Sequence, residues 1–474
     1  MSSQGDRPRH DRAAGQHVAE IRPLTSVQTR QGHIAYVAEK YTDSPLTTLG
    51  HHMDMLWMQE AFSRLKRDSA PGVDGVTVAE YAENLEANLA ELLELAKSGR
   101  YRTPPVKRAH IPKNEKETRP IGMPTVADKV LQRAVTMLLE PIYERDFLDC
   151  SFGFRPRRSC HQALDVLREA LKGMRGGWVL DVDIRSYFDS IPHSQLHEIL
   201  RHRVKDSVIL RLLAKWLLAG VLEDGVVTVS EDGTPQGGVI SPLLSNIYLH
   251  TVLDVWFEEV VCPRLKGPAK LIRFADDFVI VFQRQEDAQR VLEVLPKRFG
   301  KYGLTIHPEK TRLVDFRHPW DSQKKPETFD FLGFTHYWGK TRKGGFSIRK
   351  KTALQKMRRG LKALHAWCKK HRHKELSWQH QRICQKLQGH CAYYGVTGNS
   401  ASLAAFRYHA LGMWRYWLNR RSRKRDGMSW GRFTSLMQTQ QFHVPLARIV
   451  HKWQRHTQLC LDFQQPHVSR NRMR

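Results

Sequence analysis

Apolar positions change their spacing near residue 341, and the change divides the chain in two. Before it, short apolar runs alternate with stretches spaced by threes and fours, the signature of strands mixed with helices. Residues 1 to about 45 are polar without sustained periodicity and are expected to be a largely flexible lead-in, with room for a short helix at its end. A helical pattern from His52 to Leu65 is stopped by the turn Ala70-Pro71-Gly72-Val73-Asp74-Gly75, and another covers Tyr81 to Leu95. Val106 to Pro124 reads as strand, turn and strand about polar Lys113 to Thr118. Helical spacing returns over Ala127 to Tyr143, Cys160 to Leu171 and His193 to Leu218, with a short apolar strand at Trp178 to Ile184 between the last two. The glycine-rich turn from Gly233 to Gly238 leads into a long apolar helix through Leu243, Leu244, Ile247, Tyr248 and Val252. Leu271 to Phe282 is apolar on both sides of Asp276-Asp277, as in a hairpin bearing its acids at the bend. This part is α+β.

Beyond residue 341 the pattern is almost wholly helical. Leu354, Met357, Leu361, Leu364 and Cys368 form one apolar stripe, and Leu403, Phe406, Ala410, Met413 and Trp417 form another. Arg358, Arg359 and Lys362 lie on other faces of the first helix, with Arg415, Arg420 and Arg421 on or beside the second. Charge makes this division sharper. The 474 residues carry a formal +28, and of 76 basic and 48 acidic side chains, 29 and three fall from Arg342 onward, leaving 47 and 45 before it. A balanced front is thus joined to a tail of +26. Basic helical faces of this kind suit a phosphate backbone, with nucleic acid the natural partner. The seven scattered cysteines contain no CxxC pair, which fits reduced thiols in a cytosol, and the spacing of His380, Cys384, His390 and Cys391 matches no usual zinc pattern. No apolar run is long enough to span a bilayer, and the polar N-terminus does not resemble a signal peptide, so the expected location is cytoplasmic, away from membranes.

The candidate chemistry lies in the acids. Carboxylates beside apolar strand residues are expensive to desolvate unless cations meet them. Asp183 closes the strand that begins at Trp178, so two separate strands present carboxylates beside hydrophobic flanks, at Asp183 and at Asp276-Asp277. Three carboxylates converging on two Mg2+ ions is what phosphoryl transfer needs: one ion lowers the pKa of the attacking 3′-hydroxyl, and the other holds the triphosphate and leaving group. Asp183 and Asp276 are the principal expected ligands, with Asp277 ligating or positioning. Asp181, on the same strand face as Asp183, and Asp189, beyond the strand, are rivals.

Three segments in order, Asp183-Ile184-Arg185-Ser186-Tyr187-Phe188-Asp189, Pro235-Gln236-Gly237-Gly238-Val239-Ile240-Ser241-Pro242 and Phe274-Ala275-Asp276-Asp277, resemble the A, B and C motifs of reverse transcriptases. Ile111-Pro112-Lys113 with Arg119-Pro120 is similar to the fingers motif, and Leu304 to Thr311 to motif D. Phe331-Leu332-Gly333-Phe334 resembles the motif near the primer grip. The turn Ala70 to Gly75, Ser151-Phe152-Gly153-Phe154-Arg155-Pro156 and the basic helical tail are similar to group II intron maturases. The resemblance implies Asp183, Asp276 and Asp277 as catalytic metal ligands and Lys113 and Arg119 on the incoming triphosphate. It also implies Phe188 as the aromatic beneath the sugar that rejects a 2′-hydroxyl, Gln236 and Gly237 beside the templating pair, and Lys310 as a proton donor to pyrophosphate. Phe274 departs from the usual tyrosine of motif C. The endonuclease signature of many intron proteins is absent, which implies that the second target strand is not cut.

The implied architecture is a right-hand polymerase followed by an all-α thumb and maturase domain: flexible residues 1–45, fingers 46–175, palm 176–341, thumb/maturase 342–431 and a basic, DNA-binding extension 432–474. The implied partners are intron RNA, bound through Arg358, Arg359, Lys362, Arg415, Arg420 and Arg421, a DNA target serving as primer, and deoxynucleoside triphosphates. The implied work is splicing assistance followed by copying of the intron into DNA. A reverse transcriptase freed from any intron and a non-catalytic RNA-binding splicing factor stay open as alternatives, as does a homodimer.

Overall fold

The computed structural model describes residues 26–112, 118–223, 226–228, 233, 237–322, 325–421, 427–439 and 444. In chain order the helices are α1 (Val27–Lys40), α2 (Met55–Ser63), α3 (Val78–Glu83), α4 (Leu85–Ser98), α5 (Val126–Asp146), α6 (Cys160–Gly173), α7 (His193–Arg203), α8 (Ser207–Leu217), α9 (Ser241–Leu249), α10 (Gln285–Lys301), α11 (Leu354–His371), α12 (Leu376–Tyr394), α13 (Ser400–Leu418) and α14 (Trp430–Gln438). The strands are β1 (Val106–Pro112), β2 (Thr118–Met123), β3 (Trp178–Val182), β4 (Val221–Glu223), β5 (Val226–Thr228), β6 (Ala269–Phe274), β7 (Asp277–Phe282), β8 (Arg312–Asp315), β9 (Phe329–Phe331), β10 (Phe334–Lys340) and β11 (Phe346–Thr352). The chain forms two compact units: residues up to 146 with 197–230 and 235–241, and the remainder.

The first unit is built on α5, which is buried along most of its length and covered by α1 and α2, where Trp57 donates its indole N–H to the Ala134 carbonyl at 3.0 Å. A sheet ordered β2-β1-β4-β5 completes it. Two expectations change here, whereas the short helix at the end of the lead-in is α1. Its C-terminal carbonyls would otherwise lack donors, and Arg203 donates to the carbonyls of Ala38, Tyr41 and Thr42 while pairing with Asp146 at 2.8 Å. The helix expected across Tyr81 to Leu95 breaks at Asn84, whose backbone leaves the helical region. The helix expected across His193 to Leu218 breaks where Asp206 caps α8 by accepting from the amides of Val208 and Ile209.

The second unit centres on an antiparallel sheet ordered β6-β7-β3-β8. Alternation gives it two apolar faces. Val179, Val279, Val281 and Val314 pack with Leu164, Leu167 and Leu171 of α6, while Phe278 faces Phe299 of α10 with ring centroids 6.1 Å apart. A second sheet, β11-β10-β9, turns at Leu332-Gly333, both with positive φ, a two-residue loop of the kind that tight hairpins favour. The helical region begins later than expected, because β11 runs to Thr352 and α11 starts at Leu354. In the helical region the core takes Leu403, Phe406 and Ala410 as the pattern predicts, then Leu411, Trp414 and Leu418, leaving Met413 and Trp417 half-buried and Leu354 exposed. Leu411, Trp414 and Leu418 also follow a three-and-four spacing, so the pattern offered two stripes and packing chose between them. No described helix is long and apolar enough to cross a membrane.

Candidate functional site

The acidic site is a consequence of strand register. β3 pairs antiparallel with β7, with Asp181 opposite Val279 and Val182 opposite Phe278. One further step along that register places Asp183 opposite Asp277. Asp181, Asp183 and Asp277 therefore share the sheet face of Val179 and Val279, which is apolar at one end and acidic at the other. Asp276 lies in the two-residue bend between Phe274 and Asp277, which are paired as the last residues of the β6–β7 hairpin. Asp183 is held at the backbone: its carbonyl accepts from the His307 amide at 2.8 Å and its amide donates to the Thr311 hydroxyl at 3.4 Å.

Burial and the crowding of like charges together set the electrostatics. Burial, followed by the negative charges of Asp181, Asp276 and Asp183, pushes the Asp277 carboxyl up to about 7, with Lys356 opposing. Asp277 keeps a face open to water at the end of its strand, where a cation can reach it. Asp181 is pushed up to about 6 by burial, despite the Arg312 guanidinium at 3.3 Å. A cation already answers part of this charge, since the Lys310 ammonium lies 2.9 Å from the Asp183 carboxylate. An all-oxygen donor set whose members raise one another's pKa suits a hard divalent cation in its chemistry. In their present side-chain positions, no three acidic, His or Cys groups among the described residues stand close enough together to ligate one ion.

The other predicted residues are distributed over both units. Lys113 and Gln236 lie outside the described residues. Arg119 stands opposite Ile111 in the β1–β2 ladder. Gly237 has φ +107, and a Cβ there would lie 2.2 Å from the Gly122 carbonyl, so the glycine is required by close packing within the first unit. Phe188 is half-buried on the turn Tyr187–Asp189, edge-on to Tyr187 at 5.3 Å. Asp189 is exposed on that turn. In the helical region Arg358, Arg359, Lys362 and Arg420 are exposed. Arg415 and Arg421 are partly buried. Arg415 donates to the Met428 carbonyl at 2.9 Å and lies over the Trp430 ring, and Arg421 donates to the carbonyls of Arg372 and Lys374. Both side chains are occupied in joining segments of the helical region.

Sequence reading missed the groups that support the acidic bend. Arg273 and Asp254 are fully buried and paired at 2.5 Å. Phe154 is 60% exposed, with φ +56, and its ring lies 6.3 Å from that of Phe274. The signal for the Arg273–Asp254 pair was a charged residue inside each of two apolar stretches, Asp254 after Val252-Leu253 and Arg273 after Leu271-Ile272, whereas Phe154 belongs to a phrase the sequence had already singled out.

Comparison with known proteins bears on what such a site does. The reverse transcriptase (RNA-dependent DNA polymerase) family matches residues 111–336, which contain all of the acids described. Protein YkfC of Escherichia coli is 34% identical over 297 residues, 54% of this chain and 76% of that protein. The group II intron-encoded protein LtrA of Lactococcus lactis is 44% identical over 166 residues, 35% of this chain and 27% of LtrA. A putative COX1/OXI3 intron 1 protein of Saccharomyces cerevisiae is 27% identical over 328 residues, 58% of this chain and 38% of that protein. The match thus spans about three quarters of YkfC but well under half of either intron protein. An acidic hairpin set against an acidic strand end, inside the segment that matches this family, carries one conclusion: the chain belongs to the reverse transcriptases, RNA-directed DNA polymerases.

Proposed function

We propose that this protein binds a structured group II intron RNA, assists its splicing, and copies that RNA into DNA from a primer at a DNA target, using two Mg2+ ions at Asp183, Asp276 and Asp277. The observation that carries the reading is the pairing of Val182 with Phe278, which brings the next residue on each strand, Asp183 and Asp277, to the same end of the sheet, with Asp276 at the adjoining bend. Divalent cations bound there would lower the pKa of a primer 3′-hydroxyl and neutralise the incoming triphosphate. Asp183 and Asp276 are the principal ligands in this proposal, and Asp277 positions the pair.

Lys113 and Arg119 would meet the triphosphate as a point charge and a planar fork. Phe188 would lie under the sugar, and Gln236 with Gly237 beside the templating pair. Lys310 now neutralises Asp183, so protonating the leaving pyrophosphate requires it to swing off that carboxylate. Arg358, Arg359, Lys362 and Arg420, exposed in a region of strongly positive charge, would grip RNA phosphates. The test is primer extension with deoxynucleotides on an intron RNA template beside an unrelated RNA, with Asp277→Asn as control. We expect extension by the wild type only, at lower protein concentration on the intron RNA. Equal affinity for both RNAs would refute the intron reading, and no extension by the wild type would refute the polymerase assignment.

A further inference from the structure

Beneath the acidic bend, one buried guanidinium uses all five of its N–H donors. Arg273, the penultimate residue of β6, has no exposed surface. Its Nε donates to Asp254 Oδ1 at 2.8 Å, and its Nη2 to Asp254 Oδ2 at 2.5 Å and Ser151 Oγ at 2.8 Å. Its Nη1 donates to Asn246 Oδ1 at 2.9 Å and to the Ala275 carbonyl at 3.1 Å. The backbone of Arg273 is tied as well, its amide donating to the Cys150 carbonyl and its carbonyl accepting from Phe152. Asn246 donates in turn to the Gly153 carbonyl at 2.6 Å. Asn246 belongs to α9 and Asp254 to the π-helical continuation His250–Val261, so one side chain joins that rod, the segment 150–153 and the acidic hairpin.

The bond to Ala275 connects this network to the acids. Ala275 has φ +59, whereas Asp276 after it does not have positive φ. A two-residue hairpin loop with positive φ only at its first position is one where glycine is usual, and an alanine persists there only when its surroundings hold it. Arg273 supplies that hold by taking the carbonyl of the strained residue itself. A lysine in its place would keep a charge against Asp254, but three donors on one atom cannot span Asp254, Asn246, Ser151 and Ala275 together.

We infer that Arg273, anchored by Asp254, Asn246 and Ser151, is a positioning residue that fixes the left-handed bend at Ala275 and thereby sets Asp276 and Asp277 for cation binding. The inference rests on the proposed cation site. It is tested in the full chain with Arg273→Lys, and with Asn246→Ala, which removes one arm and spares the buried ion pair. Mn2+ binding is read by the EPR signal of the free ion, template–primer affinity by fluorescence anisotropy, and extension by single-nucleotide incorporation. We expect Arg273→Lys to weaken Mn2+ binding at least fivefold and slow incorporation by tenfold or more, with Asn246→Ala intermediate and template–primer affinity within twofold of wild type. Wild-type Mn2+ affinity in a folded Arg273→Lys protein would overturn the inference, as would a loss of activity that follows template–primer affinity. Should Arg273→Lys fail to fold, Asn246→Ala decides alone: unchanged Mn2+ binding and rate overturn the proposal. Asp276→Asn with unchanged Mn2+ binding would instead refute the cation site itself, which separates the two failures.

Discussion

Gly153→Ala tests whether the acidic bend depends on the segment packed behind it. A Cβ at Gly153 would lie 2.4 Å from the Ala275 nitrogen, 2.9 Å from the Phe274 carbonyl carbon and 3.2 Å from the Ala275 Cα. All three are backbone atoms of the hairpin, so no side-chain rotation relieves the overlap. Restoring ordinary contact requires a displacement of about 1 Å. The cost has two opposing parts. Overpacking of this kind destabilises by roughly 1–3 kcal/mol, while replacing glycine stabilises by about 0.4–1 kcal/mol through the unfolded chain. Net destabilisation of about 1–2 kcal/mol is expected, leaving the protein folded. Activity should suffer more, because a shift of about 1 Å in a reacting geometry can cost on the order of 100-fold in rate, or about 2.7 kcal/mol of barrier. Single-nucleotide incorporation on an RNA template, measured beside thermal denaturation, separates the two effects. Gly173→Ala serves as control, since a Cβ there meets nothing within 4 Å. Incorporation by Gly153→Ala within twofold of wild type would refute the claim that this backbone contact holds the acids in place.

Two further predictions concern the helical region and the buried histidine of β10. Replacing Arg358, Arg359 and Lys362 by alanine should flatten the salt dependence of RNA binding by about 0.7–0.9 for each phosphate no longer neutralised, whereas Arg421→Ala should lower the melting temperature by removing its bonds to Arg372 and Lys374; equal salt slopes for all the variants would contradict that division. His336 is buried, and burial followed by the charge of Lys350 lowers its pKa to about 3. Below pH 6.5 the unfolded chain takes up a proton that the folded protein refuses, so stability is complete above 6.5 and declines as pH falls toward 3, by about 2 kcal/mol at pH 5. Urea denaturation at pH 7 and pH 5 should show a smaller loss for His336→Leu than for wild type, and an equal loss would refute the assignment.

Much of this protein was legible in its sequence because the signals are local. Apolar runs on both sides of Asp276-Asp277 identify the hairpin, the strand ending at Asp183 identifies its counterpart, and the charge count separates a balanced front from a basic, helical back. Motif order sufficed to indicate a polymerase. What the sequence left open were choices between equivalent local patterns and contacts across long separations. Two apolar stripes on α13 satisfied the same spacing until packing selected Trp414, and no local pattern showed that Arg415 and Arg421 donate to backbone carbonyls. The helix α1 depends on Arg203, more than 160 residues away along the chain. The hub at Arg273 depends on Ser151, 122 residues back. Spacing determines which residues can share a face, because a strand or helix repeats over a few residues. Burial, register and the pairing of a charged group depend on what the rest of the chain brings against that face, and so were decided only by the tertiary structure.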